Sequence, residues 1–136
     1  MPMPVRFEWK DESRRAIVYI ASGEWNWKDY HQAVRAAAFS LTAVEHSVDS
    51  VIDLRASTRA SLPAGAAAHV RSFGRVTQAR LSGRAAVIGL PAEEIERLGA
   101  GPRQTLATTD GVVKFVDSDA ELETLLAGWA ADPPAP

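Results

Sequence analysis

The feature that most constrains the fold of this chain is an alternation between short apolar runs and segments with helical spacing. Val5–Trp9 alternates apolar with polar residues, and a β-rich run at 16–22 follows an all-polar stretch. This pattern predicts a β-hairpin with its first strand at a sheet edge. Nearly continuous apolar runs at 48–55, 84–90 and 112–116 are typical of parallel strands covered on both faces.

Helical signals fill the intervals between these runs. Asn26 resembles a helix cap, and segments 64–80 and 92–98 predict a second and a third helix. Ser118 and Glu121 stand before the apolar positions of a fourth helix in the pattern of a capping box. The chain therefore has a helix-forming segment after nearly every predicted strand.

The order of the elements predicts the fold class. Residues 99–111 are expected to form a loop, of which 103–107 could extend the third helix. The resulting order β-β-α-β-α-β-α-β-α predicts an α/β fold with a single mixed, mostly parallel sheet and flanking helices. We expect a single domain over residues 1–130 and a flexible, proline-rich C-terminal tail over residues 131–136.

Composition narrows the classes of protein to which the chain can belong. Its 136 residues carry a net charge of −2 and no cysteine, which excludes a disulfide framework and thiolate metal ligands. The N-terminal segment lacks the pattern of a signal peptide, and no apolar run approaches the roughly 20 residues of a membrane span. We therefore expect a cytoplasmic protein with no direct membrane insertion and no nucleic-acid partner.

Three short motifs carry a family resemblance. Gly23-Glu24-Trp25, the helix start at Asp29-Tyr30 and the run Val51-Ile52-Asp53-Leu54-Arg55 occur in the element order given above. With that order they resemble STAS domains of the SpoIIAA-like branch, the bacterial anti-sigma-factor-antagonist-like family. The resemblance covers residues 5–130 and implies a regulatory domain that binds proteins or small ligands and has no enzymatic activity.

The resemblance also bears on regulation by phosphorylation. Regulatory members of the family are phosphorylated on a serine in a motif like Asp-Ser-Ser-Gly after the third strand. The resemblance places residues 61–64 at those positions, so that Leu62 stands where the acceptor serine would be. A shifted gap would bring Ser61 into the acceptor role. Ser57 and Thr58 lie nearby, and the alternative role of all these hydroxyls is hydrogen bonding within a solvated turn.

No catalytic, cofactor or metal site is expected. His31, His46 and His69 have no second imidazole or carboxylate at a metal-ligand interval, and no Gly-x-Ser-x-Gly elbow is present. Asp49 and Asp53 share one face of a strand and could form an acid–base pair. The favoured interpretation is that Asp53 organises the following loop through backbone hydrogen bonds and that Asp49 is exposed to solvent.

Aromatic residues near the first helix suggest either packing or contact. Trp25 and Trp27 could form the wall of an apolar pocket near Asp53, or they could seal the sheet edge against the helix end, which is the favoured interpretation. Phe39 lies opposite Tyr30 on a helical wheel, which indicates an exposed contact residue.

The charges of the chain are unevenly distributed. Between Leu54 and Ala92 every charged residue is an arginine, whereas residues 93–132 are predominantly acidic. The six arginines are Arg55, Arg59, Arg71, Arg75, Arg80 and Arg84. Two of them lie four residues apart on the predicted second helix, where they favour bidentate contact with carboxylate or phosphate groups. The alternative is a solvated helix face whose charge is balanced by carboxylates of the last helix.

These observations predict a non-enzymatic STAS-like domain that binds an acidic protein or an anionic ligand. The expected recognition residues are Arg55, Ser57, Thr58, Arg59, Ser61, Arg71 and Arg75. One alternative is a small enzyme or a lipid-handling protein with a pocket near Trp25, Trp27 and Asp53. Another is a structural homodimer that associates through Phe39 or through the edge strand Val5–Trp9.

Overall fold

The computed structural model describes residues 4–58, 62–73, 80–99, 105–107 and 111–132. The strands are β1 (Val5–Trp9), β2 (Ala16–Gly23), β3 (Val48–Ser57), β4 (Leu81–Ile88), β5 (Thr105–Ala107) and β6 (Val112–Val116). The helices are α1 (Trp27–Thr42), α2 (Ala66–Ser72), α3 (Ala92–Arg97) and α4 (Asp119–Ala131).

Within these ranges the strands form one six-stranded sheet in the order β1-β2-β3-β4-β6-β5. The four central strands are parallel, and β1 and β5 are antiparallel to their neighbours at the two edges. The predicted α/β class with a single mixed, mostly parallel sheet is therefore confirmed.

Three helices cover one face of the sheet and the fourth covers the other. α1, α2 and α3 contribute Tyr30, Val70 and Ile95 to the main core. α4 contributes Leu122 to a second cluster, which includes Val51 of β3. The connections from β2 to β3, β3 to β4 and β4 to β6 all advance in one direction across the sheet. Because such crossovers are right-handed, their helices lie on the same face.

Two segments differ from the expectation. Thr105–Ala107, expected in a loop or a helical extension, is the edge strand β5, and its buried Leu106 pairs with Val113 of β6. A run of three residues is too short to show strand periodicity, so only its pairing with β6 defines it. The second helix, expected to reach residue 80, does not include Arg80, whose carbonyl accepts a hydrogen bond from Val48 beside β4.

The predicted helix starts of α1 and α4 are confirmed. Asn26 Oδ1 accepts a hydrogen bond from the Asp29 N–H at 3.0 Å, and the Asp29 carboxylate accepts one from the Asn26 N–H at 3.0 Å. Ser118 Oγ accepts from the Glu121 N–H at 3.2 Å, although the Glu121 carboxylate accepts from Asp117 and not from Ser118. Both helices are thus held at the carboxyl ends of the strands that precede them.

None of the helices that the structure describes is long and apolar enough to cross a membrane. At the C-terminus, α4 ends at Ala131. Residues 133–136 of the expected tail lie outside the described ranges.

Candidate functional site

The carboxyl end of β3 carries a charge network that joins the sheet to α4. The Arg55 guanidinium contacts Asp53 Oδ2 and Asp119 Oδ1, each at 2.9 Å, and the Arg55 N–H donates to Asp53 Oδ1 at 3.0 Å. Burial acts to raise the pKa of Asp53, but the hydrogen bonds from Arg55 outweigh it and hold that pKa below its ordinary value. Asp53 does accept a backbone hydrogen bond, as expected, but Arg55 already pairs with two carboxylates of its own chain.

Two of the hydroxyl residues expected to take part in recognition, Ser57 and Thr58, lie at and just after the end of β3. Trp25 Nε1 donates to Ser57 Oγ at 2.9 Å, and the backbone N–H of the exposed Thr58 donates to the Gly23 carbonyl at 3.0 Å. Leu62, at the expected phospho-acceptor position, is partly buried and packs against the main core. The other expected recognition residues, Arg59, Ser61 and Arg75, lie outside the described residues.

Trp25 and Trp27 pack into the main core at the start of α1. Their side chains meet edge to face with ring centroids 5.0 Å apart, and both residues are buried. Trp27 Nε1 donates to the carbonyl of Pro63, the residue after Leu62, at 3.3 Å. Both tryptophans are thus part of the packing between the sheet and the start of α1. Neither tryptophan lines the two clefts described below.

His31 on α1 and His69 on α2 form a side-chain pair that sequence reasoning missed. His31 Nε2 lies 3.3 Å from His69 Nδ1, and the two residues are 38 positions apart, so no sequence interval reveals the contact. Desolvation by burial, followed by the charge of His31, lowers the pKa of His69. Across the described residues, no group of three or more His, Asp or Glu side chains converges on a metal position.

The exposed charges of α1 and α2 differ in sign from those of α4. The exposed charged residues of α1 and α2 are Lys28, Arg35 and Arg71. None of these three side chains makes a hydrogen bond or an ion pair with a described residue. The charged side chains of α4 are all carboxylates, namely those of Asp119, Glu121 and Glu123.

The sheet separates these two sets of charges, because α2 packs on one face and α4 on the other. The alternative in which the last helix balances the arginines of the second helix is therefore wrong for Arg71. The carboxylates of α4 pair instead with Arg55 of β3 and with Lys10, which contacts Glu123.

Asp49 lies in an environment different from the one expected. It is 8% exposed, not solvated, because α4 covers this face of β3. Burial raises its pKa, and the hydrogen bond from Ser82 and the charges of Arg84 and Arg15 offset only part of that effect. The Ser82 hydroxyl donates to Asp49 Oδ1 at 2.6 Å. Asp49 and Asp53 share a face, but each carboxylate has its own hydrogen-bond partners.

Two clefts flank α4. One, of about 210 Å³, lies beside Asp49 and is lined by charges of both signs, including Lys10, Arg15 and Glu123. The other, of about 470 Å³, lies between β6 and α4 and includes Lys114. Both lie on the face of the sheet that α4 covers, away from Arg71 of α2.

Comparison with known proteins bears on the fold. No protein-family profile and no curated protein sequence matches the chain. A crystal structure of an uncharacterized protein of the DUF3478 family from Shewanella loihica PV-4, described as having a SpoIIAA-like fold, is similar to it. The TM-score is 0.55 and the sequence identity is 18%, over 90% of this chain and 91% of that chain. At this identity the likeness concerns the fold alone, and we conclude that the chain has a SpoIIAA-like fold.

Proposed function

We propose that this chain is a non-enzymatic interaction domain of the STAS type that docks an acidic protein partner. The docking site in this proposal is the α1–α2 surface, formed by Lys28, Arg35, Phe39 and Arg71. The observation that carries the proposal is that its three cations are exposed and have no partner among the described residues. The carboxylates of α4 that might neutralise them lie across the sheet.

Phe39 supplies an apolar contact within this charged surface. It is 85% exposed and stands one helical turn after Arg35. An exposed large apolar side chain beside a charged one is a combination found at protein interfaces, in which a central anchor is desolvated and the rim stays polar. Arginine adds bidentate contacts with carboxylates, which favours an acidic partner over an apolar one.

Electrostatics also favours a different protein over a second copy of this chain. In a two-fold dimer through the α1–α2 surface, the same patch of each copy faces the other. The cations of one copy would then face the cations of the other, and like charges in one interface are unfavourable. Association through β1, the other dimer interface that the sequence suggested, would not involve these residues and stays a separate prediction.

The test is to compare two variants that each lose two exposed cations from opposite sides of the sheet. Arg35→Gln/Arg71→Gln removes cations from the α1–α2 surface, and Arg6→Gln/Lys114→Gln is the matched control. Partners captured from the native host with wild-type protein are identified, purified and measured for binding at low and high salt. Since the charges lie on an exposed surface, salt should weaken binding by screening beyond about 10 Å at 0.1 M ionic strength.

The expected result is a loss of affinity of about tenfold or more for the Arg35/Arg71 variant, mainly through a slower association rate. The control variant should bind like the wild type. Thermal unfolding of both variants should stay close to that of the wild type, because exposed substitutions usually change stability by less than about 0.5 kcal/mol. Equal loss of binding in the two variants, or binding that salt does not affect, would contradict the proposal.

A further inference from the structure

We propose that His31 and His69 together form a binding site for one transition-metal ion, of the class that includes Zn²⁺ and Cu²⁺. The pair lies on the same two helices as the proposed docking surface, but this proposal does not depend on the docking function. The two imidazoles come from different helices, and their nearest nitrogens are His31 Nε2 and His69 Nδ1, 3.3 Å apart.

The spacing of these nitrogens suits two ligands of one tetrahedral ion. With metal–nitrogen distances of about 2.0–2.1 Å, tetrahedral geometry separates two ligand nitrogens by roughly 3.3–3.4 Å. Without metal, one imidazole donates its N–H to the other at this contact. On metal binding, the donor ring changes tautomer, so that its proton moves to its other ring nitrogen and both contact nitrogens present lone pairs to the ion. Neutral imidazole is the form that ligates metals.

The surroundings hold the pair in place and leave it accessible. The His69 ring stacks on Trp27 with centroids 4.4 Å apart and an interplanar angle of 12°, which orients its plane. His31 and His69 are both partly exposed, so an ion can reach them from solvent. Because only two protein ligands converge among the described residues, water completes the coordination.

The charges near the pair give the site a distinctive salt dependence. Lys28 and Arg35 stand three residues before and four residues after His31 on α1, one helical turn away. These cations oppose the approach of a divalent ion, and salt screens that repulsion. Metal binding at the histidine pair should therefore be maintained or strengthened as salt rises. Adventitious binding of the metal ion to the carboxylates of α4 would instead weaken as salt rises.

The experiment is isothermal titration of tag-free protein with ZnCl₂ and, separately, with CuCl₂ at pH 7.5. We expect saturable binding of one ion per chain, tighter for Cu²⁺ than for Zn²⁺ in the order usual for such ligands. His31→Gln and His69→Gln should each lower the affinity about tenfold or more. His46→Gln is the matched control, since the polar contact of the His46 ring is with the carbonyl of its neighbour Ser47, and it should leave affinity unchanged.

Two further measurements keep the result interpretable. Circular dichroism checks that each variant is folded, and His31→Gln leaves the stacking of His69 on Trp27 in place if His69→Gln proves unstable. Electron paramagnetic resonance of the Cu²⁺ complex should show coupling to two imidazole nitrogens in the wild type and to one in His31→Gln. The absence of saturable binding, equal losses in the His46 variant, or binding that weakens with salt would each overturn the proposal.

Discussion

The indole of Trp27 and the imidazole of His69 lie nearly parallel, with ring centroids 4.4 Å apart. This stack joins the first turn of α1 to the middle of α2. His69 Nδ1 in turn lies 3.3 Å from His31 Nε2. A titratable ring thus lies between a buried tryptophan and a second imidazole. The protonation state of His69 should therefore affect how firmly α2 packs against α1.

The stability of the protein should decrease as the pH falls below about 6.5, the ordinary pKa of histidine. The pKa of His69 is lower in the folded chain than in the unfolded one, so the unfolded state takes up a proton first. The stabilising contribution is complete above pH 6.5 and is lost as the pH falls to the folded-state pKa. The free energy of unfolding, measured with urea between pH 5 and 8, should change less steeply with pH for His69→Gln than for the wild type. An unchanged slope in that variant, relative to His46→Gln, would contradict this expectation.

Replacing Asp49 with asparagine should stabilise the protein at neutral pH. Burial raises the pKa of Asp49, so folding favours its protonated form and the ionised form at pH 7 opposes folding. The contribution of Asp49 is most favourable below its ordinary pKa of 3.8 and is lost as the pH rises through the folded-state pKa. Asparagine keeps an oxygen that can accept the Ser82 hydrogen bond. In urea unfolding, the free energy of unfolding of Asp49→Asn should exceed that of the wild type at pH 7, and the difference should be smaller at pH 4. A variant less stable than the wild type at pH 7 would refute the prediction.

Gly89→Ala should destabilise the fold by about 1–3 kcal/mol, the usual range for a strained backbone conformation. Gly89 has a φ of 98°, and a Cβ there would lie 2.7 Å from the Arg55 backbone nitrogen. The matched control is Gly128→Ala on α4, where a Cβ meets no atom within 4 Å. This control should be more stable than the wild type by roughly 0.5–1 kcal/mol, because alanine reduces the backbone entropy of the unfolded chain. Equal and small effects of both substitutions on thermal unfolding would be inconsistent with the close approach of β4 to β3.

A serine kinase that modifies STAS domains should leave this protein unphosphorylated. The family pattern places Leu62 at the acceptor position, where it has no hydroxyl and packs against the core. Mass spectrometry after incubation with the kinase and ATP would measure this, with a STAS domain that the kinase does modify as the positive control. Stoichiometric phosphate on Ser61 would instead support the shifted alignment of the loop.

Most of the fold was predictable because its signals are local. The run Val5–Trp9 shows strand alternation within five residues, and Asn26 and Ser118 mark helix starts through hydrogen bonds to residues three positions away. Phe39 was predicted to be exposed from helical spacing alone, and it is. The short strand Thr105–Ala107 was missed, since three residues carry too little pattern and their pairing with β6 is a tertiary contact.

The candidate sites, by contrast, were decided by tertiary structure. In the sequence, every charged residue between Leu54 and Ala92 is an arginine, and residues 93–132 are predominantly acidic. Only the placement of α2 and α4 on opposite faces keeps Arg71 apart from the carboxylates of α4. Likewise, His31 and His69 meet across 38 residues because consecutive right-handed crossovers place α1 and α2 on the same face of the sheet. Local periodicity determines which segments form helices and strands, whereas contacts between distant residues depend on how the crossovers order those segments in space.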